Sequence, residues 1–360
     1  MTSFSELTTL RVGGPPAALV DASTREQIVD TALRFWAAPD DWMILGGGSN
    51  LVVADEGFDG NVLRIASRGI ERATDGMPRV RVEAGEPWDA VVAFAVAEGL
   101  AGIEALSGIP GTAGAGPIQN IGAYGQQLSD TLVAIDFLDY EAGEVMTLPA
   151  SELGLGYRTS ALKRGRLGVV LSLELALRDG SGLSAPVAYS QLASALGVEL
   201  GARVPLDAAR DAVLALRSSK GMVWDPADPD SVSAGSFFTN PIVSEAFART
   251  LPADAPRFPT EPEPEDRVLP LGSEIPLPEP RAADVKLSAA WLIERAGIAR
   301  GFSLPGSGAA ISSKHTLAIV NRGGATAADV VQLARFVQTR VESEFGVRLQ
   351  NEPVLVGIQL

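Results

Sequence analysis

An α+β fold of more than one domain is the expectation from this sequence, and three observations carry it. The chain has 360 residues, 46% of them hydrophobic, which is enough for a large core and for more than one domain. Its opening alternates short apolar runs with a stretch of helical spacing. After the first glycine-rich loop comes a β-branched run, where a dinucleotide-binding fold would place a helix.

Residues 17–20 and 42–45 read as buried strands, with helical spacing over 24–36 between them. The second strand runs into Gly46, Gly47, Gly48, Ser49 and Asn50, and then into Leu51, Val52 and Val53. Residues 79–84 alternate as a half-buried strand should, and 88–99 has helical spacing that ends at a glycine. The densest motif, SGIPGTAGAGPIQNIGAYG over 107–125, fits no regular helix or strand. Strands are expected at 132–140 and 169–177, and helices at 189–197 and 206–217.

Residues 252–284 carry nine prolines and an acidic cluster at Glu261, Glu263, Glu265 and Asp266, and they read as a solvated insertion. Asp284 is the expected N-cap of a helix with Leu287, Ala290, Trp291 and Ile293 on its apolar face. A strand is expected at 316–320. The last long helix opens on a capping box, Thr326 to Asp329, buries Val330, Leu333, Ala334, Val337, Val341 and Phe345, and stops at Gly346. A final strand is expected to lead into Glu352 and Pro353. No internal repeat is visible.

Composition excludes several functions. No apolar stretch approaches the roughly 20 residues of a membrane-spanning helix, and the start lacks a basic region followed by an apolar core. With no cysteine, a disulfide framework is ruled out, and the expected location is cytoplasmic. A single histidine leaves only carboxylates as metal ligands, so no metal is expected. A formal charge of −15 without a basic stripe argues against nucleic acid as partner.

Taken together, GGGSN at 46–50, the 107–125 motif, Tyr157-Arg158-x-Ser160, AGSFFxNP at 234–241 and Glu352-Pro353 resemble the UDP-N-acetylenolpyruvoylglucosamine reductase family nearly end to end. Retention of Tyr189 resembles the members that close a tyrosine loop over the substrate. The resemblance implies a two-subdomain FAD-binding module of the PCMH type plus a smaller α+β substrate-binding domain. On that reading the first FAD subdomain spans 1–66, joined by 347–360, and the second spans 67–218. The substrate domain spans 219–346 and includes the insertion 252–284. The implied activity is reduction of the enolpyruvyl nucleotide sugar, with FAD as cofactor and NADPH as co-substrate, in cell-wall synthesis. A monomer is the expected state.

The implied site residues make physical sense. A flavin pyrophosphate carries two negative charges, and successive backbone N–H groups of a glycine-rich turn can converge on it. Gly46, Gly47, Gly48, Ser49 and Asn50 are therefore expected at the pyrophosphate. Gly108, Gly111, Thr112, Gly114, Ala115, Asn120, Gly122, Ala123, Tyr124 and Gly125 are expected beside the ribityl chain and the ring. Tight-turn scaffolding with no ligand is the plain alternative for such loops.

The single histidine leaves no base for a hydrolase triad, which excludes a nucleophile, and the resemblance implies that Ser236 is instead the proton donor. Arg158 supplies a planar donor for the substrate carboxylate. Glu352 is expected to be protonated or to share a proton, because an ionised carboxylate would repel the charge that develops there. Lys220, Asn240 and Tyr189 are the expected substrate contacts, against the alternatives of a helix-terminal lysine and a core tyrosine. Glu294-Arg295 departs from the family's acidic residue followed by glutamine. His315 reads as an ordinary loop histidine. Neither histidine nor cysteine lies in the flavin loops, so the FAD is expected to be non-covalent. A sugar or lactone oxidase on the same fold is the rival reading, and a nucleotide-sugar binding protein without turnover is a further one.

Overall fold

The computed structural model describes residues 2–73, 76–260 and 284–360. Its N-terminal sheet is three-stranded and parallel, with Phe58–Ile65 between Pro16–Ala22 and Asp41–Leu45. The helix Arg25–Trp36 crosses from the first strand to the next, and Thr24 caps it by accepting the Gln27 N–H. Its apolar spacing buries Ile28, Ala32 and Phe35 against the sheet.

Beyond the glycine loop, Leu51–Val53 pairs in parallel with Val354–Val356. The C-terminus therefore returns to the N-terminal region. This corrects the expected order at the end of the chain, because the strand follows Glu352 and does not lead into it. Residues 347–351 satisfy themselves differently, with Val347 and Leu349 buried as core plugs. Glu352 thus stands where a loop enters a strand.

The second sheet is five-stranded and antiparallel, in the order Val145–Pro149, Leu132–Asp139, Gly168–Ala176, Arg79–Glu83, Ile70–Arg72. The helix Trp88–Ala97 lies against it and buries Trp88, Val91, Val92 and Ala95. These residues join Ile28 of the helix Arg25–Trp36 and Leu63 of the first sheet in one continuous core. Within 107–125, where no regular element was expected, the chain forms a short 3-10 turn at Ala113–Ile118 and a minimal hairpin from Gly122–Ala123.

A separate core holds the remaining region. The long helix Ala327–Phe345 has the capping box at Thr326 and Asp329, buries Val330, Leu333, Ala334, Val337 and Val341 completely, and ends at Gly346 in the left-handed region. Phe345 is only half-buried. Asp284 does not cap a helix. Asp284–Leu287 is a strand whose burial alternates, with Val285 and Leu287 inward, and Ser288 caps the helix Ala289–Arg295 by accepting the Trp291 N–H. The strand expected at 316–320 begins only at Ile319, since 316–317 belong to the preceding turn.

The segment read as an insertion from 252 is built at its start. Arg257 donates to the carbonyls of Ala248, Leu251, Pro252, Ala253 and Ala255, and Arg257–Pro259 pairs with Asp284–Leu287. The acidic cluster at 261–266 lies outside the described residues. Among the described residues, no helix is long and apolar enough to cross a membrane.

Candidate active site

The two glycine loops pack on each other. A Cβ on Gly47 would lie 2.8 Å from the Gly111 Cα, and one on Gly111 would lie 2.6 Å from the Ser49 Oγ. The Ser49 hydroxyl donates to the Pro110 carbonyl at 3.1 Å. Loop-to-loop packing therefore demands small residues here whether or not a ligand is bound. Gly48 is held at φ 61 with its Cα against the Leu7 carbonyl, so no side chain fits there either.

What points to a ligand is the donor set. Among the described residues, the backbone N–H groups of Gly47, Gly48, Ser49 and Asn50 donate to nothing. Successive free N–H groups form an anion-binding concavity. Beside them a cavity of about 240 Å³ opens between the two sheets. Gly46, Thr112, Gly114, Ala115 and Ile118 form its loop side, and Trp42, Ile44, Phe137, Leu162 and Val170 form its strand side. A row of free amides next to an apolar slot fits FAD, whose pyrophosphate is anionic and whose rings are flat and apolar.

Some residues expected at the cofactor spend their side chains elsewhere. Asn120 is buried, and its amide bonds to Gln127, Ser129 and Gly156. It holds the loop's shape. The Asn50 side chain turns toward Gln119 and the Glu352 carbonyl, away from the free N–H groups. Tyr124 and Asn120, like Arg158, sit at positive φ, a strain of order 1–3 kcal/mol each that concentrates at functional sites.

The structure brings Arg158, Glu352 and the backbone of Ser236 together. Arg158 Nε lies 3.3 Å from Glu352 Oε1, and the Glu352 N–H donates to the carbonyl of Phe237, next to Ser236. Phe237 and Phe238 are buried with ring centroids 5.2 Å apart, and this anchor fixes the turn that carries Ser236. The Ser236 hydroxyl bonds to no described residue. Burial pushes the Glu352 carboxyl above its ordinary pKa, while the charges of Arg158 and Lys163 pull the other way.

Across the cleft, Tyr124 and Tyr189 meet edge to face at 5.6 Å, and the Lys220 ammonium lies 5.6 Å from the Tyr124 ring. Tyr189 is 45% exposed, which removes the core-tyrosine alternative. Lys220 donates to Gln191, and burial together with Arg217 lowers its pKa. Asn240 is set differently, because its amide oxygen accepts the N–H of Ala289 at the start of a helix. Its remaining amide group faces the neighbourhood of Tyr157.

Comparison with known proteins decides the family. Residues 226–356 match the C-terminal domain of UDP-N-acetylenolpyruvoylglucosamine reductases, and residues 16–149 match an FAD binding domain. The reductase of Leifsonia xyli is 62% identical, over 99% of this chain and 99% of its own. The chain belongs to the UDP-N-acetylenolpyruvoylglucosamine reductase family. The reductase of Saccharopolyspora erythraea is 52% identical over 100% of this chain and 96% of its own. The crystal structure of the MurB reductase of Thermus caldophilus superposes with a TM-score of 0.62 at 26% identity, covering 99% of this chain and 97% of that one.

Within this family framework, sequence reasoning missed three features. The cavity walls Trp42, Phe137 and Val170 carry no signal, since a strand residue facing a slot is as apolar as one facing the core. Arg217, which is 7% exposed, has its Nε unpaired in the described structure, and burial pushes its pKa down to about 10, so it stays charged at neutral pH. The third is the lowered pKa of His315, which lies in a loop as the sequence suggested. The residue is half-buried, and burial followed by the charges of Lys220 and Arg300 lowers its pKa to about 4. The chain separation from Lys220 hid this electrostatic influence.

His315 gives a measurable pH dependence. Its folded-state pKa lies below the unfolded value of about 6.5, so the unfolded chain takes the proton first. The stability contribution is complete above about pH 6.5 and falls as pH drops toward 4, by about 2 kcal/mol between pH 7 and pH 5. Denaturant melts at those two pH values should show a smaller acid loss in His315→Gln than in the parent. An equal loss in both proteins would place the acid sensitivity elsewhere.

Proposed function

We propose that the chain reduces UDP-N-acetylglucosamine enolpyruvate to UDP-N-acetylmuramate for peptidoglycan synthesis, with bound FAD and with NADPH as reductant. The observation that carries this reading is the meeting of Arg158, Glu352 and the Ser236 turn beside the loop with free N–H groups. FAD held by the 46–50 loop and the apolar slot beside it would supply the hydride transfer from NADPH to one vinyl carbon of the enolpyruvyl group.

The chain's own residues do the rest. Arg158 holds the substrate carboxylate with its planar fork. Neutral Glu352 hydrogen-bonds where negative charge grows, and the Ser236 hydroxyl gives its proton to the other vinyl carbon. An alcohol is a poor acid, but the enol-like dianion formed in this step is a strong base. Hydride and proton together complete the two-electron reduction of the double bond. Lys220, Tyr189 and the Asn240 side chain hold the diphosphate, with Tyr189 swinging from its edge-to-face contact with Tyr124.

In domain terms, we assign 1–66 with 347–360 and 67–218 to the FAD module, and 219–346 to the substrate domain. A monomer working in the cytoplasm, where NADPH and the nucleotide sugar are made, completes the proposal.

The test is spectroscopic. The purified protein should be yellow, bleach on anaerobic addition of NADPH, and regain colour when the enolpyruvyl nucleotide sugar is added. Recovery with oxygen alone would favour an oxidase and remove the proton-donor role from Ser236. Parallel double-reciprocal lines with competitive substrate inhibition would further support one pocket serving NADPH and sugar in turn, whereas intersecting lines would oppose it.

A further inference from the structure

Gln119 lies inside the glycine-rich motif and bridges the first loop to the strand entry at Glu352. Its Nε2 donates to Glu352 Oε1 at 3.3 Å, and its Oε1 accepts from Asn50 Nδ2 at 3.1 Å. The orientation of these amides follows from chemistry. Asn50 Nδ2 also donates to the backbone carbonyl of Glu352 at 3.2 Å, and a carbonyl only accepts. Asn50 must therefore present its NH₂ group to this corner. Gln119 must then turn its oxygen toward Asn50 and its NH₂ group toward Glu352.

Arg158 Nε, which only donates, addresses the same Glu352 Oε1 at 3.3 Å. One carboxyl oxygen thus accepts from the Gln119 amide and has the Arg158 cation 3.3 Å away, and both favour it as the acceptor in either protonation state.

We propose that Gln119 is a positioning residue: with Arg158 it fixes Glu352 Oε1 as acceptor, so that the proton of the neutral acid resides on Oε2. That this proton meets a substrate carboxylate rests on the reaction proposed above; the relay itself does not. The charged and titratable groups facing Glu352 are Arg158, Lys163 and Tyr157. Among the described residues, Asn50 reaches the Glu352 backbone carbonyl directly, and Gln119 is the side chain that ties the Glu352 carboxyl itself to the flavin loop.

The test uses the full-length holoenzyme and Gln119→Met, which keeps the side chain's length and removes its amide. Loss of a donor to the ionised carboxylate raises its pKa. NMR of isotopically labelled glutamate carboxyl carbons, with the Glu352 signal assigned by its loss in Glu352→Gln, should show the titration midpoint moving up by about one pH unit. Flavin reduction by NADPH should be unchanged. Re-oxidation by the enolpyruvyl nucleotide sugar should slow by up to about tenfold, because the neutral acid loses the hydrogen bond that holds Oε1 as acceptor and aims the Oε2 proton.

Should Gln119→Met fold poorly, Gln119→Glu keeps the acceptor for Asn50 and places a second carboxyl on Glu352. The titration should then split into two steps. A Glu352 midpoint unmoved in both variants would overturn the relay, and so would equal slowing of both half-reactions with a lowered melting temperature. A moved midpoint in a protein that never uses the nucleotide sugar would sustain the relay and remove the proposed reaction.

Discussion

Replacing Ser236 with alanine is expected to slow reduction of the enolpyruvyl substrate by ~10²-fold to 10⁴-fold or more, the range for losing a positioned acid, and to leave flavin reduction by NADPH near the parent rate. The local structure isolates the hydroxyl. Ser236 is half-buried, its hydroxyl bonds to no described residue, and the turn is anchored by Phe237 and Phe238 on one side and the Glu352 N–H on the other. The alanine keeps the Cβ, so the fold should lose within about 0.5 kcal/mol, as for other substitutions that touch no core or network. Stopped-flow absorbance separates the two half-reactions. A variant unimpaired in both would mean that the proton comes from another group. Ser236→Cys, which keeps an acidic hydrogen at the same place, should recover part of the lost rate.

Much of the fold was legible because periodicity survives wherever an element buries one continuous face. The long helix Ala327–Phe345 announced both ends through its capping box and Gly346, and a strand after the first glycine loop excluded a dinucleotide fold. Where elements are short, the same signal misleads. Val285 and Leu287 alternate over only four residues before Ser288, and the helical spacing of the next turn swallowed the strand. Pairing with Arg257–Pro259 decides that segment, and a partner far along the chain leaves no local mark.

The candidate site divides in the same way. Glycines at 46–48 and 108–125 could be read as meaningful, but the sequence could not separate contact with a ligand from contact between loops. The structure gives Gly47 and Gly111 to loop packing and leaves the free N–H groups as the feature that points outward. The lowered pKa of His315 and the role of Gln119 were invisible for a different reason, since the first comes mainly from burial, with Lys220 second, and the other from Glu352, and neither burial nor a distant partner leaves a local mark.

Glu352 carries the second large effect, and two substitutions divide its roles. Glu352→Ala should slow the substrate half-reaction by about 10²-fold, because it removes the hydrogen bond that meets the growing charge and leaves Arg158 Nε without its acceptor. Glu352→Gln should stay within about tenfold of the parent. In the glutamine the carbonyl oxygen takes the place of Oε1, accepting from Gln119 beside the Arg158 cation, and the NH₂ group takes the place of the protonated Oε2. The amide thus reproduces the neutral acid in the orientation that the relay imposes.

The pH profiles should differ in sign-specific fashion. Burial raises the Glu352 pKa, so in the parent the neutral form is present below that value and is lost as pH rises through it. The parent rate should therefore fall on the alkaline side, and the glutamine variant should lack that fall because its amide does not ionise. If glutamine proves as damaging as alanine across the whole pH range, the working state of Glu352 is the carboxylate, and the charge on the substrate must be met by Arg158 alone.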